Sequence, residues 1–254
     1  NAAPHGHRVN PTLLVVPMSI IANWEQEAHR FAPSLNVYLH HGAQRLTGEA
    51  FITQAQSVDV VITTYSLVFR DEPHISAVTW GRIALDEAQN IKNLETKQTK
   101  SVRRVVQRQL QRGDEEAPCQ RIALTGTPLE NHLEELWSIF DFLNPGFLGT
   151  VQDFRTRFAV PIERYRDKEA SATLSRLLQP FVLRRLKSDP RILSDLPEKI
   201  EMDVLISLTP EQASLYQGAL DEMLPQVDQA SGMHRKGLVL ATITRLKQIC
   251  NHPA

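Results

Sequence analysis

Short runs of β-branched and aliphatic residues recur along the first half of the chain, each followed by a stretch of helical character. Thr12–Val16 is one such run, stopped by Pro17. Val37-Tyr38-Leu39-His40, residues 58–63, Arg82–Leu85 and residues 121–124 are the others. All are of strand length and several are nearly continuously apolar, a pattern suited to strands covered on both sides. Between them lie apolar residues at helical spacing. Ile20, Trp24, Ala28 and Phe31 follow Ser19, a residue type able to cap a helix; residues 44–55 are weakly amphipathic; Lys97–Arg112 carries Val102, Val105, Val106 and Leu110 on one side. Parallel strands need long crossovers, and repeated strand–helix alternation supplies them. The expected fold class is therefore α/β, a parallel sheet with helices on both faces.

The character changes after Asn144-Pro145-Gly146. Residues 144–190 are helix-forming, and Phe154, Phe158, Leu174, Leu177, Leu178 and Phe181 would form the core of an inserted helical subdomain. Within 191–208, Met202, Val204 and Ile206 alternate with other residues, which predicts a strand returning to the sheet of residues 1–143. Thr209-Pro210-Glu211-Gln212 opens a helical segment that covers 209–254 as a connector.

Two adjacent acids, Asp86 and Glu87, follow the Arg82–Leu85 run. Open α/β sheets place ligands beyond the carboxyl ends of their strands, so these acids sit where a ligand site is expected. Acids also favour helix N-termini, and on this stretch alone the two readings stand equal. Further on, Thr127, Pro128 and Glu130 fit the cap, first and third positions of a capping box.

A net charge of −1 gives no global basic field, so any nucleic-acid surface must be local. Lys97, Lys100, Arg103, Arg104, Arg108 and Arg112 form a basic side on their helix, for which a solvated face is favoured over phosphate contact. Cys119 and Cys250 form no C-x-x-C pair, which argues against a disulfide framework or zinc site and for an intracellular setting. His5 and His7 are read as solvated loop residues. No apolar run approaches the roughly 20 residues of a membrane span.

Several stretches together resemble one family. Leu13-Leu14-Val15-Val16-Pro17, Ile62-Thr63-Thr64-Tyr65, Asp86-Glu87-Ala88-Gln89 and Leu124-Thr125-Gly126-Thr127-Pro128-Leu129-Glu130-Asn131 occur in the order of helicase motifs Ia, Ib, II and III. They resemble the SWI/SNF family of superfamily-two ATPases. Asn23-Trp24, Asn90-Ile91-Lys92-Asn93, Phe181-Val182-Leu183-Arg184-Arg185 and residues 245–253 extend the likeness over nearly the whole chain, with a prokaryotic flavour in motif II. The resemblance implies a RecA-like first lobe of the P-loop NTPase type and an ATP-driven motor tracking along double-stranded DNA, in the cytoplasm or nucleoid of a prokaryote. It implies ATP and Mg2+ as cofactors, sequence-nonspecific DNA as partner, and a DNA-bound protein as a further partner. Asp86 would hold the magnesium through water, Glu87 would orient or deprotonate the attacking water, and Gln89 would link the nucleotide to motif III. Thr125, Gly126 and Thr127 would couple hydrolysis to movement. Pro17, Ser19, Thr63, Thr64 and Tyr65 would follow DNA phosphates, with His40-His41-Gly42 near the same edge. Arg184 and Arg185 match the family's paired arginines.

The chain departs from that family in having no G-x-x-x-x-G-K-[ST] phosphate loop. The resemblance places that loop before Asn1, and the second lobe with its arginine finger after Ala254. The 254-residue chain alone is thus expected to be inactive. The competing functions are a strand-separating helicase of the same superfamily and a non-catalytic module that binds DNA or protein.

Overall fold

The computed structural model describes residues 10–112, 118–126, 132–185 and 200–252. The chain divides into two units, residues 1–183 and 184–254.

The first unit is built on a parallel sheet of five strands: β1 (Thr12–Val16), β2 (Val37–Leu39), β3 (Val60–Thr64), β4 (Arg82–Leu85) and β5 (Gln120–Ala123). Their spatial order is β2-β3-β1-β4-β5, with every neighbouring pair parallel. β1 is central. Because successive side chains point to opposite faces, Leu13 and Val15 enter one core while Leu14 and Val16 enter another. All four are 6% exposed or less. Full burial of side chains of this size contributes about 1.5–3 kcal/mol each, before any loss of chain entropy.

The two faces are covered unequally. Among the described residues, α1 (Ile21–Phe31) supplies the helix of the face lined by Leu14, Val16, Ile62 and Ala84. The other face carries α2 (Gly48–Ser57), α3 (Tyr65–Arg70), α4 (Glu72–Ala77), α5 (Lys97–Arg112) and α6 (Leu133–Leu143), through Phe51, Val68, Ile75, Val105, Ile139 and their neighbours. Ser19 does not cap α1: residues Met18–Ile20 wind as a 3-10 turn, and the helix cap is Ile20, with no side-chain hydrogen bond. Phe31, expected on the apolar face, is 70% exposed. The expected cap at Thr127 lies outside the described residues; α6 itself begins at Leu133, preceded by His132. Gly81 is required at the entry to β4, since a Cβ there would meet the Asn10 carbonyl oxygen at 2.6 Å.

The helical segment after α6 shares that helix's core. Leu133, Trp137 and Phe140 of α6 pack with Phe154, Phe158 and Leu174, which come from α7 (Val151–Phe154), the following π-helical turn and α9 (Lys168–Leu178); α8 (Val160–Tyr165) lies between. Leu177 and Leu178 pack at its margin. Phe181 stays 45% exposed and meets Phe140 and Phe147 edge-on, at ring distances of 6.2 and 5.0 Å.

In the second unit, α10 (Pro210–Gln229) and α11 (Gly232–Asn251) form a hairpin. Thr209 and Gln212 make the expected capping box, and Gln212 Nε2 also donates to the Ile249 and Cys250 carbonyls at the far end of α11. The strand expected within 191–208 is not present in its described part. Residues 200–208 carry no strand, and Ile200, Met202, Val204 and Ile206 are 73% to 87% exposed. Alternation equips a segment for pairing but does not supply the neighbouring strand whose N–H and C=O groups complete the ladder.

Candidate functional site

Parallel strands align their carboxyl ends, and the motif residues meet there. Val16 lies beside Thr64 in the register of β1 and β3. The Asp86 N–H continues the ladder to the Val15 carbonyl at 2.9 Å, and Leu124 N–H donates to the Leu85 carbonyl at 2.8 Å. Pro17, Tyr65, Asp86 and Thr125 therefore emerge along one sheet edge.

Asp86 is held from several sides. Its Oδ1 accepts from the Glu87 N–H at 2.8 Å, and its Oδ2 accepts from Trp24 Nε1 at 2.7 Å. The Tyr65 hydroxyl donates to the Asp86 carbonyl at 2.7 Å. Burial raises the pKa of that phenol well above its ordinary value, and the charges of Asp86 and Glu87 raise it further, so it remains a donor at any physiological pH.

Glu87 has φ 50° and ψ 54°, the left-handed region. For a residue with a Cβ this conformation costs roughly 1–2 kcal/mol. It is stabilised from the following 3-10 turn, where the Asn90 backbone N–H and side-chain Nδ2 both donate to the Glu87 carbonyl, at 2.9 and 2.8 Å. The bend ends the strand abruptly and leaves both acids half-buried at its tip.

Gln89 bridges the next connection. Its Nε2 donates to Glu87 Oε2 at 2.6 Å, and its Oε1 accepts from Thr125 Oγ1 at 2.7 Å. Motif II and motif III are thereby joined by a continuous chain of side chains, Glu87–Gln89–Thr125. Gly126 follows in an exposed bend, and Thr127 lies outside the described residues.

The residues expected along DNA divide. Pro17 and Ser19 flank and form the Met18–Ile20 turn, with Ser19 exposed. Thr63, Thr64 and Tyr65 are 5% exposed or less. The Thr63 hydroxyl donates to the His40 carbonyl, Thr64 Oγ1 accepts from the Leu67 N–H as the cap of α3, and the Tyr65 hydroxyl faces motif II. Their side chains serve the interior rather than a phosphate track, because a hydroxyl at the end of a buried strand is drawn to the nearest unsatisfied backbone group.

His40 is likewise interior, 1% exposed, with Nε2 3.1 Å from Asp71 Oδ2 and its ring 4.5 Å from that of Phe51. Arg45 clamps Asp71 through both carboxylate oxygens, at 2.6 and 3.0 Å. Burial lowers the pKa of His40 despite the pull of Asp71. Burial raises the Asp71 carboxyl, but the hydrogen bonds from Arg45 and His40 outweigh it and the net shift is downward.

The basic side of α5 is largely engaged within the fold. Arg103 pairs with Asp141 and lies over the Trp137 ring, Arg104 forks onto Glu72 at 2.9 and 2.6 Å, Lys100 meets Glu95 at 2.7 Å, and Arg112 donates to the Val78 carbonyl at 2.8 Å. Arg184 and Arg185 are exposed at the start of the second unit.

The acids can accommodate a divalent ion. Among the described residues neither Asp86 nor Glu87 forms an ion pair with a Lys, Arg or His. No three metal-binding side chains gather at one point among those residues, so an ion here would draw most of its coordination from water and phosphate oxygens. That is the usual habit of Mg2+, bound by one or two carboxylates together with a nucleotide.

Residues 2–254 match the SNF2-related domain family. The chain belongs to that family. It is 44% identical over 249 residues to YwqA of Bacillus subtilis, provisionally described as an ATP-dependent helicase/translocase; the match covers 98% of this chain and 26% of YwqA. It is 33% identical to the TATA-binding protein-associated factor MOT1 of Saccharomyces cerevisiae, over 97% of this chain and 13% of MOT1. The SWI2/SNF2 ATPase core of Sulfolobus solfataricus, solved in complex with double-stranded DNA, superposes with a TM-score of 0.61 at 40% identity, over 97% of this chain and 48% of that one. The sheet is thus the RecA-like sheet of an SNF2-family ATPase core, and this chain spans about a quarter or less of these two curated relatives.

Trp24, Tyr65 in its inward role, and Asn90 are the site residues that motif reading alone did not place against the acids. Trp24 and Asn90 lie in stretches matched to the family, but nothing in their spacing states what they touch.

Proposed function

We propose that this SNF2-family chain forms the acid-bearing half of the ATP site in a motor that tracks along double-stranded DNA without reading its sequence. The observation that carries this reading is the linked row Asp86, Glu87, Gln89 and Thr125 along the carboxyl edge of the sheet. In phosphoryl transfer, positioning and charge stabilisation dominate the barrier. Magnesium, when bound with ATP, supplies the charge that offsets the phosphate oxygens. Asp86 would hold that ion through water. Glu87, fixed by the left-handed bend, orients the attacking water and takes its proton. Gln89 passes the position of Glu87 to Thr125, and so to the segment after β5. The half-buried setting strengthens these electrostatic contacts by limiting competing solvent.

For DNA, the exposed turn at Pro17 and Ser19 is the phosphate-facing candidate, and the double-stranded DNA of the Sulfolobus core supports the partner class. The name of MOT1, a TATA-binding protein-associated factor, supports a DNA-bound protein as a further partner. The test is Glu87→Gln in the full-length protein. ATP hydrolysis should fall by at least about 100-fold, while ATP and DNA binding stay within about three-fold of wild type. Unchanged hydrolysis would remove Glu87 from the chemistry. Duplex tracking without strand separation, measured by triplex displacement beside a strand-displacement assay, separates a translocase from a helicase.

A further inference from the structure

Trp24 stands in the first turn of α1, and its ring packs against the core formed by Leu14, Val16 and Ile62. The indole N–H leaves that core to donate to Asp86 Oδ2 at 2.7 Å, 62 residues away in sequence. The chain's other two tryptophans satisfy their indoles differently. Trp80 donates to the Ile75 carbonyl and Trp137 to the Gly149 carbonyl, backbone groups near them in sequence. Trp24 instead donates to an acidic side chain.

The choice of donor has a physical consequence. A lysine or arginine here would orient Asp86 but would also neutralise it and repel a metal ion. An indole is a donor only and carries no charge, so it fixes the carboxylate while leaving the negative charge available. The Glu87 N–H fixes the other oxygen. Each oxygen has two lone pairs and gives one to these donors, which leaves one apiece for metal-bound water. Rotation of the carboxylate about its own bond would break both hydrogen bonds together.

We infer that Trp24 is a positioning residue for the metal-facing carboxylate of Asp86, holding it in one rotamer ready to receive Mg2+. This rests on the reading of Asp86 as the magnesium carboxylate. Without the indole, Asp86 must be ordered each time an ion binds. Partners of this kind, acting through a ligand they do not replace, change metal affinity by roughly 10- to 100-fold when removed.

The test uses the full-length protein with Mn2+ as the probe, its binding followed by electron paramagnetic resonance in the presence of a non-hydrolysable ATP analogue. Three variants are compared: Trp24→Phe, Trp24 replaced by benzothienylalanine, and Asp86→Asn. Benzothienylalanine keeps the two-ring shape with sulfur in place of the N–H, so it preserves packing where phenylalanine lowers stability. Both Trp24 variants should weaken Mn2+ binding about ten-fold, with metal-free nucleotide affinity within about two-fold of wild type. If benzothienylalanine leaves Mn2+ affinity unchanged while Asp86→Asn abolishes it, the positioning role is wrong and the site reading stands. If Trp24→Phe lowers the melting temperature and benzothienylalanine changes nothing, the indole is only packing. If Asp86→Asn itself leaves Mn2+ affinity intact, the site reading falls and the inference falls with it.

Discussion

Replacing Gln89 by leucine removes both ends of the bridge between the two motifs and leaves an apolar side chain one atom shorter. The amide donates to Glu87 Oε2 at 2.6 Å and accepts from Thr125 Oγ1 at 2.7 Å. Hydrogen bonds to charged groups contribute roughly 1.5–3 kcal/mol, and neutral ones about 0.5–1.5 kcal/mol. Gln89 is half-buried, so water replaces part of the loss and the lower ends of these ranges apply. The two lower ends together, about 2 kcal/mol withheld from the transition state, correspond to roughly a thirty-fold fall in kcat. The assay is DNA-stimulated ATP turnover by the full-length protein carrying Gln89→Leu, Thr125→Val or both. Gln89→Leu should lower kcat about thirty-fold with KM for ATP little changed, and Thr125→Val about two-fold. Since Thr125 reaches Glu87 through Gln89, the double variant should be no slower than Gln89→Leu alone. Independent, fully additive penalties in the double variant would refute the bridge.

Arg45→Ala leaves Asp71 buried without its clamp, and the melting transition should reflect a loss of about 3–5 kcal/mol, the usual consequence of stranding a buried charge. Phe154 is fully buried at the centre of the helical core, so Phe154→Ala should cost about 3–5 kcal/mol in chemical denaturation. Stability should fall with acidification from about pH 6.5 downward, since the unfolded chain takes up a proton at His40 that the folded chain resists until lower pH. Asp71, whose carboxyl is depressed in the fold, adds a second loss at still lower pH as it protonates. Thermal melts across this range should show a smaller slope for His40→Gln, and an unchanged slope would exclude His40 as the source.

Local pattern carried much of the fold. The runs at Thr12–Val16 and Arg82–Leu85 become strands with those bounds, and Lys97–Arg112 becomes a helix with its own, because period and composition suffice where one face must be buried. The order of motifs likewise placed Asp86, Glu87 and Gln89 at one strand end. Ser19 shows the limit of local chemistry: a good capping residue in the right neighbourhood was bypassed when the chain took a 3-10 turn first. Residues 200–208 show another, since alternation alone carries no information about a pairing strand.

The direction in which polar side chains face was a matter for the tertiary structure. The family resemblance predicts Thr63, Thr64 and Tyr65 along DNA phosphates, yet their hydroxyls turn inward to a carbonyl of β2's end, a helix cap and the backbone of Asp86. The cations of α5 find Asp141, Glu72 and Glu95, two of them on other elements. Sequence alone determined a parallel α/β sheet with two acids at the end of one strand, because strand length, helical period and motif order are properties of neighbours along the chain. Only the folded chain decided that Trp24 grips Asp86 and that Gln89 reaches Thr125, because those bonds join residues 62 and 36 positions apart that meet only when the sheet aligns its strand ends.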